Sequence, residues 1–373
     1  MFEKRRHSGG SARYGRMSGY VDIVRSFVVS LLMAGGLSGC IHVPAVPSSN
    51  AEPYIYEERT VIQTVDERDL VYFIDRPAGG EKVPLLILVD GSGCVGQLRP
   101  GMRYDYRPGP ERPKRYARLT VEKPGVEHEA DHAAACSDDF LKYYTIDNRV
   151  IDHLRVLQHL RATADWWNGE VLIWGWSDGG DIAVQLTAYY PSVTRAVLGA
   201  MGGGYTMAEH FENFWACPEE ELGDERAACL EDLRAQFQAM EDDPTWKKTW
   251  SGNDNSWRVW PSRLRSRASV LLKDNTVPVL IVHGELDREN TPVESARKLV
   301  ADLEAAGNTA FTYWEVPGMK HGWTNLPQSQ QDLFFEAMLK WLLGVEVGPG
   351  GPPDFGAPGA ADPESSGSAE AIP

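Results

Sequence analysis

Gly175-Trp176-Ser177-Asp178-Gly179 decides the reading of this chain. It directly follows an apolar run, Val171-Leu172-Ile173-Trp174, and directly precedes an apolar stretch in which Ile182, Ala183, Leu186 and Tyr190 recur at helical spacing before Pro191. A strand feeding a tight turn feeding a helix needs glycine on both sides, because the backbone must bend sharply with no Cβ in the way. Such a turn lifts the Ser177 hydroxyl clear of the strand end, and Asp178-Gly179-Gly180-Asp181 then opens the helix.

A serine hydroxyl is a poor nucleophile near neutral pH, so the turn acquires meaning from a base and an orienting carboxylate further along. Pro278-Val279-Leu280-Ile281-Val282 reads as a buried strand, and His283-Gly284-Glu285-Leu286-Asp287 follows it directly, making Asp287 the candidate acid. A helix from Val293 to Ala306 and a strand from Phe311 to Val316 come next. Pro317-Gly318-Met319-Lys320-His321-Gly322-Trp323 follows, with His321 as the candidate base. A lone His or Asp beside a turn is usually a solvated or capping residue. Three such residues, each just past a strand end and in the order Ser, Asp, His, are a constellation.

With these residues in place, the chain resembles an α/β-hydrolase of the dienelactone hydrolase and prolyl oligopeptidase-like branch over most of residues 55 to 345. The resemblance implies an α/β fold: a mostly parallel central sheet flanked by helices, carrying a helical cap insertion. It places the nucleophile on Ser177, the acid on Asp287 and the base on His321. Its oxyanion hole takes one backbone N–H from the residue after the nucleophile, Asp178, and one from the loop after the third strand. That loop is Val89-Asp90-Gly91-Ser92-Gly93-Cys94, after Leu85-Leu86-Ile87-Leu88. Relatives often carry His-Gly where this chain has Asp90-Gly91, so the second donor is assigned to Ser92, with Gly91 as the alternative.

The 373 residues, 42% hydrophobic with twelve Trp, can bury one large core. The net charge of −16 repels phosphates, which argues against nucleic acid as a partner and disfavours polyanionic substrates. The positive charge at the start has another reading. Lys4, Arg5, Arg6, Arg13, Arg16 and Arg25 precede an apolar stretch from Phe27 to Met33 and a small-residue run ending Leu37-Ser38-Gly39-Cys40. The stretch falls short of the roughly 20 apolar residues that span a bilayer. Leu-Ser-Gly-Cys resembles a bacterial lipobox, whose Cys is acylated and becomes the mature N-terminus. Residues 1–39 are thus expected to be a lipoprotein signal peptide, started at Met1 or Met17. Cys40 would be the lipid anchor to the cell envelope, in the outer membrane since Ile41 is not an acidic retention residue.

Cys94, Cys136, Cys217 and Cys229 remain, an even number in an oxidising compartment, and four cysteines allow three connectivities. Cys94 with Cys136 is favoured because both follow strands expected to be neighbours, Leu85 to Leu88 and Ala117 to Val121. Cys217 and Cys229 share one helical insertion.

Residues 40–59, with Pro44, Pro47 and Pro53, read as a tether, residues 60–346 as the hydrolase domain, and residues 347–373, with six Gly and six Pro, as a disordered tail. Strands are expected over Val61–Val65, Leu70–Ile74 and Ala196–Ala200, and Glu122-Lys123-Pro124-Gly125 reads as a turn. A helix from Asp147 to Ala162 carries Arg149 and Asp152, read as a structural ion pair. The cap insertion, residues 204–275, contains Trp215, Trp246, Trp250, Trp257 and Trp260, which either form a satellite core or face substrate.

His128-Glu129-Ala130-Asp131-His132 matches H-E-x-x-H, the helical zinc-protease motif, but Pro124 and Gly125 lie just upstream and no third ligand is evident. No metal or organic cofactor is therefore expected. The expected function is a serine hydrolase of the envelope, most simply a carboxylic ester hydrolase acting on a small-molecule ester or amide. Only about twenty residues separate Cys40 from the first strand, too few for the propeller that selects peptides in prolyl oligopeptidases. A serine peptidase, a zinc hydrolase using His128, Glu129 and His132, and a non-catalytic binding lipoprotein are the alternatives.

Overall fold

The computed structural model describes residues 54–97, 107–109, 112, 114–127, 130, 136–218, 223–251 and 254–345. By its internal contacts the chain divides into Met1–Asn50 and Ala51–Pro373, and every described residue belongs to the second unit. The signal peptide, Cys40, the tail, and the motif residues His128, Glu129 and His132 lie outside the described residues.

Eight strands form one sheet: β1 (Tyr54–Gln63), β2 (Asp69–Pro77), β3 (Val83–Val89), β4 (Ala117–Val121), β5 (Trp167–Trp176), β6 (Val193–Gly199), β7 (Val279–Gly284) and β8 (Phe311–Val316). Their order in space is β1-β2-β4-β3-β5-β6-β7-β8. β1, β2 and β4 pair antiparallel, and every pairing from β4 through β3 to β8 is parallel. The central strands are apolar throughout because helices cover both faces of a parallel sheet, so both sides of Leu85–Ile87 and Val171–Trp174 are buried.

The covering helices are α1 (Asp138–Tyr143), α2 (Ile146–Thr163), α3 (Asp178–Tyr189), α8 (Val293–Ala305) and α9 (Gln328–Leu342). Two apolar layers result. One joins Ile87 and Ile173 to α2, α3 and Leu299 of α8, and the other joins Trp174, Trp176 and Val282 to Phe334 and Met338 of α9.

Between β6 and β7 the insertion is helical, with α4 (Met207–His210), α5 (Arg226–Asp242), α6 (Trp260–Arg265) and α7 (Ala268–Leu272). Its aromatic residues form a satellite core. Trp250 and Trp260 meet edge to face at 4.9 Å, Phe211 lies 4.8 Å from Trp250, and the cluster continues through Phe237, Leu233 and Met240 to Phe140 and Tyr144 of the main domain.

Two sequence expectations are corrected. β1 begins at Tyr54, so strand occupies residues 54–59, which had been assigned to the tether. Tyr54 and Ile55 pair with Pro77 and Arg76, and a bulge with Glu57 at φ 57° restores register at Glu58, hiding the alternation. Arg149 makes no hydrogen bond or close ion pair with Asp152, although its charge still favours the ionised carboxylate. It donates to the carbonyls of Val121 and Glu122 at 2.8 and 2.6 Å, while Asp152 receives Arg68 at 3.1 Å.

Candidate active site

Ser177 stands between β5 and α3 with φ 56° and ψ −127°, a left-handed conformation costly for a residue with a Cβ. The flanking glycines make it feasible by close approach. A Cβ on Gly175 would lie 2.1 Å from the Gly179 carbonyl oxygen, and one on Gly179 would lie 2.0 Å from that of Val89. The Ser177 N–H donates to Gly199 of β6 at 2.8 Å and its carbonyl accepts from Gly180, so strand, turn and helix are fastened together. Asp178 is the first residue of α3, so its N–H has no partner within the helix.

The acid and base come from the loops after β7 and β8. His321 Nδ1 lies 2.7 Å from Asp287 Oδ2, with Asp287 1% and His321 23% exposed. The imidazole is thus anchored on a buried carboxylate at one nitrogen. The Trp176 indole donates to the His321 carbonyl at 2.9 Å, which ties the base's backbone to the residue preceding Ser177.

Asp287 is held on further sides. The Thr291 N–H donates to its Oδ1 at 3.1 Å, and buried His283 Nε2, 2.8 Å from the Thr291 carbonyl, lies 3.4 Å from its Oδ2. Burial alone would raise this carboxyl. The bonds from His283 and His321, the His321 charge and the Thr291 N–H overcome it and hold the group well below the usual carboxylate range. His283 therefore belongs to the site. Its place four residues before Asp287 was visible in the sequence, but its contact was not.

The loop after β3 reaches the nucleophile. A Cβ on Gly91 would lie 3.2 Å from Ser177 Cβ and 3.3 Å from the Trp176 carbonyl, and exposed Ser92 follows. The four predicted cysteines form the pairs Cys94–Cys136 and Cys217–Cys229.

Sequence reasoning also missed the surroundings of Asp178. Its carboxylate accepts from the Tyr144 hydroxyl at 3.0 Å and from Arg263 of the cap, whose other nitrogen donates to Asn255 at 2.5 Å. Asp181, one turn on, has its carboxyl pushed up to about 8 by burial, with Asp178 adding to the shift and Arg263 opposing it. Among the described residues no group of three or more His, Cys, Asp or Glu gathers as a metal site, and no helix is long and apolar enough to cross a membrane.

Residues 228–345 match the prolyl oligopeptidase family, and no curated protein matches the chain. Among solved structures, Est1E from Butyrivibrio proteoclasticus superposes with a TM-score of 0.50 at 15% identity, over 77% of this chain and 98% of its own. The acylaminoacyl peptidase of Pyrococcus horikoshii gives 0.50 at 14% identity, over 78% of this chain, and puromycin hydrolase gives 0.52 at 14%, over 79%. The chain spans only 41% and 40% of the length of these last two. At these identities the likeness establishes the fold, which is that of the α/β-hydrolases. The chain has this fold and is similar over residues 228–345 to the prolyl oligopeptidase family.

Proposed function

We propose that the protein hydrolyses carboxylic esters by acyl transfer through Ser177. His321 takes the hydroxyl proton as Ser177 attacks the acyl carbon and returns it to the departing alcohol. Asp287 orients the ring and stabilises the imidazolium, and the N–H groups of Asp178 and Ser92 receive the oxyanion. Water then repeats the sequence on the acyl-enzyme. The observation that carries this reading is the 2.7 Å contact between His321 and buried Asp287, with the His321 carbonyl tied to Trp176, the residue before a serine on a strained turn.

Ester rather than amide is favoured by Est1E, a neighbour matched along 98% of its length, which has also been solved with ferulic acid bound. The match to the prolyl oligopeptidase family favours a peptidase as the second reading. Short-chain p-nitrophenyl esters should be hydrolysed with a higher kcat/KM than aminoacyl or prolyl p-nitroanilides, and the reverse order would establish the peptidase. A fluorophosphonate should label Ser177, and Ser177→Ala should abolish both labelling and turnover. Hydrolysis that survives in this variant and is lost on chelation would transfer the chemistry to His128 and His132.

We also infer attachment to the bacterial envelope through acylated Cys40, on the strength of the Leu37–Cys40 sequence. Radiolabelled palmitate should enter the wild type and not Cys40→Ser. Equal labelling of both would refute it.

A further inference from the structure

A buried cation grips the loop that supplies half of the oxyanion hole. Lys123 follows β4, and its side chain is 0% exposed. Its ammonium lies 2.8 Å from the Gly93 carbonyl, 3.4 Å from the Ser92 carbonyl and 3.4 Å from Asp90 Oδ2. These three acceptors all belong to residues 90–93, the stretch whose Gly91 rests against Ser177. An ammonium has three donors and is strongly hydrated, so burying one is costly unless its N–H groups are engaged. Here the Gly93 carbonyl takes the shortest of these contacts, with the Ser92 carbonyl and Asp90 further off.

The anchor is itself fixed. Arg149 of α2, fully buried, donates to the carbonyls of Val121 and Glu122, so the backbone from which Lys123 projects is pinned at the two preceding residues. The loop's far end is tied by the Cys94–Cys136 disulfide, and Gly93 adopts φ +86°, open to glycine at little cost. Peptide groups are planar, so drawing the Ser92 and Gly93 carbonyls onto one ammonium sets the planes of two successive peptides. Those planes carry the Gly93 and Cys94 N–H groups, and with Asp90 held by the same ammonium the Gly91 and Ser92 N–H groups lie between two anchored points.

We propose that Lys123 is a positioning residue of the oxyanion hole, holding the 90–93 loop so that its N–H group meets the acyl oxygen of a substrate on Ser177. The inference rests on the acyl-transfer reading of Ser177 and assigns that site a component the family match, residues 228–345, does not reach. Removing an oxyanion donor outright costs on the order of 10²–10³-fold in kcat, and loosening one costs less.

The test uses the purified full chain and Lys123→Met, with kcat expressed per active serine counted by endpoint fluorophosphonate labelling, so that an unfolded fraction does not count. On a short-chain p-nitrophenyl ester kcat should fall roughly 10–100-fold with KM changed less than about threefold. Inhibition by an aryl boronate, which forms a tetrahedral anion on the serine, should weaken by the same factor. Arg118→Met removes a buried cation within β4, paired with Asp75, and should lower Tm without moving kcat per active serine.

If Lys123→Met does not fold, Asp90→Asn takes its place, and a three- to tenfold parallel loss in kcat and boronate affinity is expected, about that of one weakened hydrogen bond. Unchanged kcat and boronate affinity in whichever variant folds would overturn the inference. Ser177→Ala separates the two readings: full hydrolysis there would refute the acyl-transfer reading itself, whereas an inactive Ser177→Ala beside a fully active Lys123→Met would refute only the role of Lys123.

Discussion

Replacing Arg263 by Met should destabilise the protein severely, because it removes the cap's hold on the residue that follows the nucleophile. Arg263 and Asp178 are both buried, their side chains 6% and 8% exposed, and they are ion-paired. With Arg263 gone, Asp178 keeps the Tyr144 hydroxyl at 3.0 Å, a single neutral donor for a buried carboxylate. Breaking such a pair from one side costs about 3–5 kcal/mol. For a domain of this size each kcal/mol moves Tm by about 2–4 °C, so a fall of roughly 6–20 °C is expected.

The loss should shrink when the carboxylate is removed as well. The double variant Arg263→Met with Asp178→Asn should recover at least half of it, because no charge is then left buried alone. Urea unfolding midpoints and thermal scans of the four proteins complete a double-mutant cycle. A single variant costing less than about 1 kcal/mol, or a double variant worse than the sum of the singles, would refute the claim that this pair joins cap and elbow energetically.

His283→Ala should cost about 1.5–3 kcal/mol of stability, the worth of a hydrogen bond to a charged group, and should lower kcat more than it raises KM. A stable variant with wild-type kcat would detach His283 from the acid. Burial lowers His210 to about 4 and, with help from the Arg149 charge, His153 to about 3. Folded-state values below the ordinary 6.5 mean that the unfolded chain takes up these protons first, so stability is complete above pH 6.5 and is lost as pH falls towards the folded values. The slope should be about 1.4 kcal/mol per pH unit for each ring, and His210→Leu should flatten it by one such share in urea titrations between pH 6.5 and 4.5. An unchanged slope would contradict the burial of His210. Reduction of Cys94–Cys136, separated by 42 residues, should remove about 4 kcal/mol, and of Cys217–Cys229, separated by 12, about 3. Reduction of the first should impair ester turnover ahead of unfolding, since Cys94 adjoins the loop at Ser177, and activity that survives until the protein melts would show the loop to be independent of it.

The sequence by itself determined what is local: β4 and β8 at their observed limits, α2 and α8 within a residue at each end, and the elbow, because apolar periodicity and glycine placement are properties of a few adjacent residues. It also placed Ser177, Asp287 and His321 at strand ends in an order that a sheet can gather. The start of β1 was hidden by a bulge, and a spatial order that sets β4 between β2 and β3 follows from a crossover without a mark in any one segment. Lys123 read as part of a turn and Arg263 as a cap residue. Lys123 reaches a loop about 30 residues earlier and Arg263 an aspartate 85 residues earlier, and such pairings form only once the sheet has closed the distance. Tertiary structure alone decided which buried charges face one another, because a charge leaves no period in the sequence and is tolerated inside only where folding brings its partner.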